Sequence, residues 1–253
     1  MFQVKLEYRK GQHLPVLDGM RGTAILLVIL VHLFRYYKWV SFGWMGVDLF
    51  FVLSGFLITG ILVDTRANSG YYKNFLIRRV LRIFPLYYFF LIVFFIGFPL
   101  LSLHNQVEHY AYLGSNQLWF WAYIQNWLFV TDKNYPEINI ISHFWSLAIE
   151  EQFYIVWPVV VYFLSGRSLK VACTLLIIGS LIFRTYLYFQ QASWIVIYES
   201  TFTRLDGLAI GALLAILIRE ENGRQLLEKW IPWVLILSTT IVLSIIIFTG
   251  NYY

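Results

Sequence analysis

Charge is scarce in this chain. Asp, Glu, Lys and Arg make up 13% of its 253 residues, where soluble domains carry about a quarter. Cysteine is scarcer still: a single Cys173 excludes an intramolecular disulfide and a cysteine metal cluster. No G-x-x-x-x-G-K-[ST] phosphate loop, H-E-x-x-H helix, G-x-S-x-G elbow or strand-led G-x-G-x-x-G occurs. Phosphate-loop hydrolases, zinc proteases, serine hydrolases and dinucleotide enzymes are therefore not indicated. There is no internal repeat, low-complexity linker or second domain. The first ten residues are polar and charged, and the first apolar run has no small-residue cleavage site after it, so that run reads as a retained anchor.

What fills the chain instead is apolar and aromatic: 59% hydrophobic and 20% aromatic residues, a balance that suits a bilayer and its interfaces. Runs of about 20 apolar residues, the length that spans a membrane, are expected near 20–37, 44–63, 83–103, 147–165, 169–189, 203–219 and 231–250. A shorter stretch at 117–130, QLWFWAYIQNWLFV, reads as interfacial or re-entrant. The expected fold is thus all-α, a polytopic transmembrane helical bundle of about seven spans in one membrane domain covering 1–253.

Charge placement orients it. Lys5, Arg9 and Lys10 in the tail, Arg66, Lys73, Arg78, Arg79 and Arg82 in the 64–82 connection, and Arg167 and Lys170 in the 166–170 link fall on one side if 117–130 does not span. The positive-inside rule makes that side cytoplasmic. The N-terminus is then inside, and the 104–146 connection, with Glu108, Asp132 and Glu137 against Lys133, is outside. The net charge of +5 speaks of topology, not of nucleic acid.

A charged side chain at mid-bilayer costs about 2.5–3.5 kcal/mol on insertion scales, so each one in a span asks for a purpose. Arg21 and His32 are eleven residues apart, close to three helical turns and roughly 16 Å, and so share a face. That face offers a cation for an anionic group and a proton acceptor further along. The plainer reading is a snorkelling arginine and a histidine bonded to a neighbouring helix. In GVDLFFVLSGFLIT, Asp48 stands near a helix end, either orienting His32 or lying in interfacial water, and Gly55 seven residues on admits a close helix. NFLIRRVLRIFPLYY places Arg78, Arg79 and Arg82 just before a helix expected to begin near Pro85. Three guanidiniums there fit phosphate groups or lipid headgroups. HFWSLAIEEQFYIVWP aligns His143, Glu150 and Tyr154 on one face if its helix reaches back that far; an acidic helix start is the alternative. TRLDGLAIGALLAIL sets Arg204 and Asp206 at a helix start and spaces Gly207, Gly211 and Ala215 four apart, a small-residue packing face.

In that order, Arg21-x10-His32, GVDLFFVLSGFLI, RRVLRIFPLYY, FWSLAIEEQFY and RLDGLAIGALLA closely resemble the integral-membrane acyltransferase-3 family from about Leu17 to Ala215. The resemblance implies bacterial O-acyl transfer, with acetyl the commonest acyl group, from acyl-CoA to a hydroxyl of a cell-surface glycan or its lipid-linked precursor. Arg21 and His32 match the family's Arg-x10-His signature, with His32 the catalytic residue and Arg21 a further cation for acyl-CoA. Arg78, Arg79 and Arg82 match a basic motif implicated in acyl-CoA handling. Ser146, Leu147, Glu150 and Tyr154 match a Ser-Leu-x-x-Glu-x-x-x-Tyr element, in which Ser146 and Tyr154 are expected to bind substrate or acyl-CoA, and Asp48 or Glu150 is the expected orienting carboxylate for His32. Acyl-CoA is implied as co-substrate, with no tightly bound cofactor and no metal. The implied partners are the lipid bilayer, acyl-CoA and the glycan or lipid-linked sugar acceptor, without nucleic acid, and the implied location is the bacterial plasma (inner) membrane, multi-pass. The family core usually has ten membrane helices, so this chain is expected to be C-terminally shortened. An inert truncated remnant and a transporter are the rival readings.

Overall fold

A segment crossing lipid must satisfy its own backbone hydrogen bonds, and a helix does so within one segment. The computed structural model describes residues 15–34, 37–107, 109–132 and 141–249, and every regular element in them is helical. The first part comprises α1 (Pro15–Leu33), a 3-10 segment (Lys38–Trp44), α2 (Met45–Thr65) and α3 (Tyr71–Ile92), which continues through a π segment (Val93–Gly97) into α4 (Phe98–Leu100). A short 3-10 segment (Leu103–Gln106) precedes α5 (Tyr110–Ser115), α6 (Gln117–Trp121) and α7 (Gln125–Thr131). The remainder is α8 (Phe144–Phe163), α9 (Gly166–Phe189), α10 (Trp194–Glu199), α11 (Thr201–Leu217) and α12 (Glu221–Thr249).

Among the described residues, five helical stretches are long and apolar enough to cross a membrane: Pro15–Leu33, Phe42–Thr65, Tyr71–Leu100, Gly166–Phe189 and Trp194–Leu217. The protein is a multi-pass membrane protein. The other two expected ranges are helical as well. One falls in α8, which carries adjacent Glu150 and Glu151 in its first half, and the other in α12 as far as Thr249. The 117–130 stretch is broken into α6 and α7, with Tyr123 between them at φ 55°. Seven helical residues rise only about 10 Å, against roughly 30 Å of hydrocarbon, so neither piece spans. Lys5, Arg9, Lys10, Glu108, Lys133 and Glu137, which enter the charge-placement argument, lie outside the described residues.

One expectation is corrected. The helix expected to begin near Pro85 begins at Tyr71, so Pro85 is interior and Arg78, Arg79 and Arg82 are helical. Hydropathy falls wherever arginines cluster, but backbone continuity does not, because Leu, Arg and Lys are good helix formers. Interior proline forfeits one backbone bond, a loss that membrane helices tolerate.

The chain groups into two compact units. The first comprises the described residues of Met1–Asp64, Gly166–Thr174 and Gly207–Tyr253. Its core is a glycine-mediated contact of α2 with α11. A Cβ on Gly55 would meet the Leu208 carbonyl oxygen at 1.9 Å, and one on Gly211 the Val52 carbonyl oxygen at 2.0 Å. Small residues let two backbones approach where lipid supplies no hydrophobic drive of its own. In the same unit Arg219 makes a two-pronged ion pair with Asp64, Nε to Oδ1 at 3.0 Å and Nη2 to Oδ2 at 2.8 Å, and Nη1 donates to the Ala215 carbonyl at 2.8 Å. Both side chains are largely buried, 14% and 20% exposed. Asp64→Ala is expected to cost about 2–4 kcal/mol by leaving the guanidinium short of its counter-charge. The double replacement Asp64→Leu/Arg219→Met should recover much of that loss in a detergent melting experiment. Equal melting of wild type and Asp64→Ala would rule the pair out as a stabilising element.

The second unit comprises the described residues of Thr65–Ser165 and Leu175–Asp206. Here α3 and α8 run antiparallel. Tyr71 donates to the Pro158 carbonyl at 3.0 Å, Phe75 meets Tyr154 at 6.5 Å between ring centroids, and Tyr87 meets Phe144 at 5.1 Å. Tyr123 stacks on Tyr87 at 4.1 Å and on Phe84 at 5.1 Å, which holds its left-handed backbone. Burial, and then the neighbouring Tyr87, Glu151 and Tyr88, push the Tyr123 hydroxyl well above its ordinary range, so it stays a neutral group. A closed ring of hydrogen bonds joins α7, α8 and α11. Gln152 Nε2 donates to Asn126 Oδ1 at 2.9 Å, Asn126 Nδ2 donates to Thr201 Oγ1 at 2.9 Å, and Thr201 Oγ1 donates to Gln152 Oε1 at 2.7 Å. Gln152→Leu should strand the buried Asn126 and Thr201 groups and cost about 1–3 kcal/mol. The check is a detergent melting curve beside Thr201→Val/Asn126→Leu/Gln152→Leu, which removes every member and should melt closer to wild type. A single variant melting like wild type would sink the idea.

Candidate functional site

The residues singled out by sequence divide between the two units. Arg21, His32 and Asp48 belong to the first, and Arg78, Arg79, Arg82, Ser146, Glu150 and Tyr154 to the second.

In the first unit, α1 starts early enough that Arg21 stands in its second turn and His32 in its last. Arg21 Nη1 lies 3.5 Å from Asp18 Oδ1, with Asp18 half-exposed; a pair so long and wet contributes little. His32 is exposed, and its Nδ1 lies 2.7 Å from the Val28 carbonyl oxygen one turn back. A carbonyl can only accept, so Nδ1 carries the proton and the lone pair of the neutral ring sits on Nε2. Trp44, in the 3-10 segment after α1, packs edge-on to the imidazole at 5.5 Å. Backbone and indole together fix both tautomer and tilt. Asp48 is exposed in the first turn of α2, where a carboxylate is favoured by the helix dipole.

In the second unit, the three arginines separate. Arg78 and Arg82, one turn apart, are exposed. Arg79 turns inward: its guanidinium lies over the rings of Phe75 at 5.7 Å and Tyr154 at 5.8 Å. Tyr154 in turn donates its hydroxyl to Glu150 Oε2 at 2.9 Å. Arg79, Tyr154 and Glu150 therefore form one connected group, which the spacing of α8 anticipated for Glu150 and Tyr154 but not for Arg79. Ser146 donates to the His143 carbonyl at 3.2 Å, tying down the first turn of α8; His143 is the residue preceding that helix. Chemically, the unit presents two outward cations and one inward cation set over two aromatic rings, one of which donates its hydroxyl to a carboxylate.

Sequence reasoning overlooked Glu151 and read Arg204 only as a helix-start residue. Glu151 is 6% exposed, and its Oε1 has no hydrogen-bond partner among the described residues. A signal was present: three consecutive polar residues, Glu150-Glu151-Gln152, spread over about 200° of a helix and cannot all face away from protein. Arg204 is 6% exposed, with its guanidinium 4.6 Å from the Tyr198 ring and 5.8 Å from Trp145; nothing local in the sequence marks that burial. Among the described residues, no group of three or more His, Cys, Asp or Glu could hold a metal ion.

A protein of Bacillus subtilis (strain 168) named "Putative peptidoglycan O-acetyltransferase YrhL" is 35% identical over 227 residues, covering 83% of this chain and 34% of that protein. O-acetyltransferase OatA of Staphylococcus aureus (strain NCTC 8325 / PS 47) is 34% identical over 219 residues, covering 81% of this chain and 34% of its own. The chain spans about a third of the length of the curated relatives it matches. No solved structure matches it. A family model described as an acyltransferase domain matches residues 14–253, and the chain therefore belongs to this membrane acyltransferase family.

Proposed function

We propose that this domain carries out O-acyl transfer, moving an acyl group, acetyl in the commonest case, from acyl-CoA to a hydroxyl of a cell-surface glycan or its lipid-linked precursor. The observation that carries the reading is His32. Its Nδ1 is committed to the Val28 carbonyl, which leaves Nε2 as the basic atom, at the end of a helix whose Arg-x10-His pattern is the family's.

In this reading Nε2 takes the proton of the acceptor hydroxyl as its oxygen attacks the thioester carbonyl. The new oxygen–carbon bond forms, the carbon–sulfur bond breaks, and the imidazolium returns its proton to the departing sulfur, so that CoA leaves as a thiol. Asp48, in the same unit as His32, stabilises the imidazolium formed on the way. Arg78 and Arg82 bind donor phosphates, for which exposed guanidiniums are suited, and Arg21 adds a further cation. Arg79 keeps the Glu150–Tyr154 pair in place, and Ser146 the first turn of α8. An acyl-histidine route, with Nε2 itself attacking the thioester, uses the same lone pair. The domain sits in a bacterial plasma membrane with its N-terminus cytoplasmic, as the basic residues of 64–82 favour.

The test is acyl transfer from labelled acetyl-CoA in membranes containing this chain, with envelope glycans as the acceptor pool. Label in glycan above that of membranes without the chain is the expected result. Protein present in the membrane with no transfer to glycan, lipid-linked sugar or water would overturn the reading for this domain. The arginines are distinguished by a second measurement. Arg78→Ala and Arg82→Ala should raise KM for acetyl-CoA several-fold with unchanged melting, whereas Arg79→Ala should lower the melting temperature by a few degrees, as expected for losing a cation held between two rings at about 1–2 kcal/mol.

A further inference from the structure

The turn between α2 and α3 and the last turns of α8 enclose a groove of about 450 Å³, lined among others by Asn68, Ser69, Tyr71, Tyr72, Val159 and Tyr162. Its walls are pinned before anything binds. Tyr71 donates to the Pro158 carbonyl at 3.0 Å and Tyr72 to the Ile155 carbonyl at 3.1 Å. Arg66 donates to the carbonyls of Leu164, at 3.2 Å, and Tyr162, which closes off the end of α8. With their hydroxyls engaged, the rings offer faces rather than polar tips, and Tyr71 and Tyr162 sit 5.7 Å apart at a 39° tilt. Asn68 and Ser69 are exposed at the mouth and bring amide and hydroxyl groups to a slot otherwise lined by aromatic rings, Pro158, Val159 and Gly70. Pre-formed concavities of this size, mostly apolar with a few polar groups, are where small molecules bind.

What leads out of the groove names the ligand. Seven and eleven residues along a helix return to within about 20° of the starting direction. Tyr71, Arg78 and Arg82 therefore lie along one stripe of α3. The arginine positions stand roughly 10 and 16 Å beyond Tyr71, and both arginines are exposed. An aromatic slot followed at that reach by two guanidiniums has the chemistry of a purine nucleotide: a flat base for the ring faces and phosphates for the arginines. We propose that this groove seats the purine base of a nucleotide whose phosphates lie on Arg78 and Arg82. The proposal rests on the acyl-transfer reading in that the nucleotide is the adenosine end of the acyl-CoA donor. A phospholipid would share the phosphate contact, but it has no planar ring for the slot and no edge for Asn68.

Adenosine 3′,5′-bisphosphate, which lacks the thioester, is the probe. Its binding to the purified full chain in detergent is measured by equilibrium dialysis beside Val159→Trp, which fills the groove, and Asn68→Ala, which leaves it open. Melting curves verify that each variant is folded. Binding to wild type that weakens about tenfold or more in Val159→Trp, and by less in Asn68→Ala, is the expected result. Binding unchanged in folded Val159→Trp, while Arg78→Ala weakens it, would place the base elsewhere and overturn the proposal. So would groove-retained phospholipid that is released by Val159→Trp without any change in nucleotide affinity. Acyl transfer from acetyl-CoA by wild type with no nucleotide binding would sink the groove and leave the function standing. Nucleotide binding with no transfer would do the reverse.

Discussion

Membranes carrying His32→Ala are expected to transfer acyl groups to glycan about 10²–10⁴-fold more slowly than wild type, the range over which a positioned general base acts. The expectation follows from one hydrogen bond. Because the Val28 carbonyl holds Nδ1 at 2.7 Å, Nδ1 carries the proton of the neutral ring and Nε2 is its basic nitrogen. His32→Asn separates chemistry from structure. An asparagine amide can still donate to Val28 but has no basic nitrogen, so it should preserve melting behaviour and remain as inactive as alanine. A wild-type rate in His32→Asn would show that the histidine only holds the end of α1, and the base would have to be sought elsewhere. Mass spectrometry of the working enzyme decides between the two routes. An acyl adduct on His32 that chases into product supports the two-step route, and its absence during turnover supports direct attack.

The second large effect concerns the contact between α2 and α11. Gly211→Val and Gly55→Val are each expected to lower the melting temperature by several degrees or to prevent accumulation of folded protein. At Gly211 a Cβ would lie 2.0 Å from the Val52 carbonyl oxygen and 2.7 Å from the Phe56 nitrogen, and at Gly55 it would lie 1.9 Å from the Leu208 carbonyl oxygen. Every one of those neighbours is backbone, so no side-chain rotation relieves the clash and a whole helix must shift. Overpacking of that kind costs about 1–3 kcal/mol and sometimes more, or roughly 2–4 °C per kcal/mol in a chain of this size. Gly179→Ala is the control. Nothing lies within 4 Å of a Cβ there, and alanine is the better helix former by up to about 1 kcal/mol, so its melting temperature should hold or rise. Gly211→Val melting with Gly179→Ala would mean that the two helices are not packed as described.

The glycine contact was anticipated because small residues spaced four apart carry a meaning that depends little on distant partners. Gly207, Gly211 and Ala215 read as a packing face from spacing alone, and Gly55 as a place for close approach. What spacing could not supply was the partner. That Gly55 meets Leu208, about 150 residues away in the chain, is a property of assembled helices. The arginine cluster shows the same division more sharply. RRVLR announces cations and a phosphate-like ligand, yet nothing in those five letters says that Arg79 turns onto Phe75 and Tyr154 while Arg78 and Arg82 face out. Side chains on adjacent positions of a helix diverge by about 100°, and which direction is inward depends on where α8 lies.

Apolar length, the scarcity of charge and the order of the motifs were enough to establish an all-helical membrane protein, a non-spanning 117–130 stretch and the family to which it belongs. These are local or composition-level properties, set by the cost of placing each residue in lipid or water. The closed ring of Gln152, Asn126 and Thr201, the inward turn of Arg79 onto Phe75 and Tyr154, and the aromatic groove beside Tyr72 were decided only by tertiary structure. Each depends on which backbone carbonyl or ring a side chain meets, and that is fixed by packing rather than by the hydropathy of the segment that carries it.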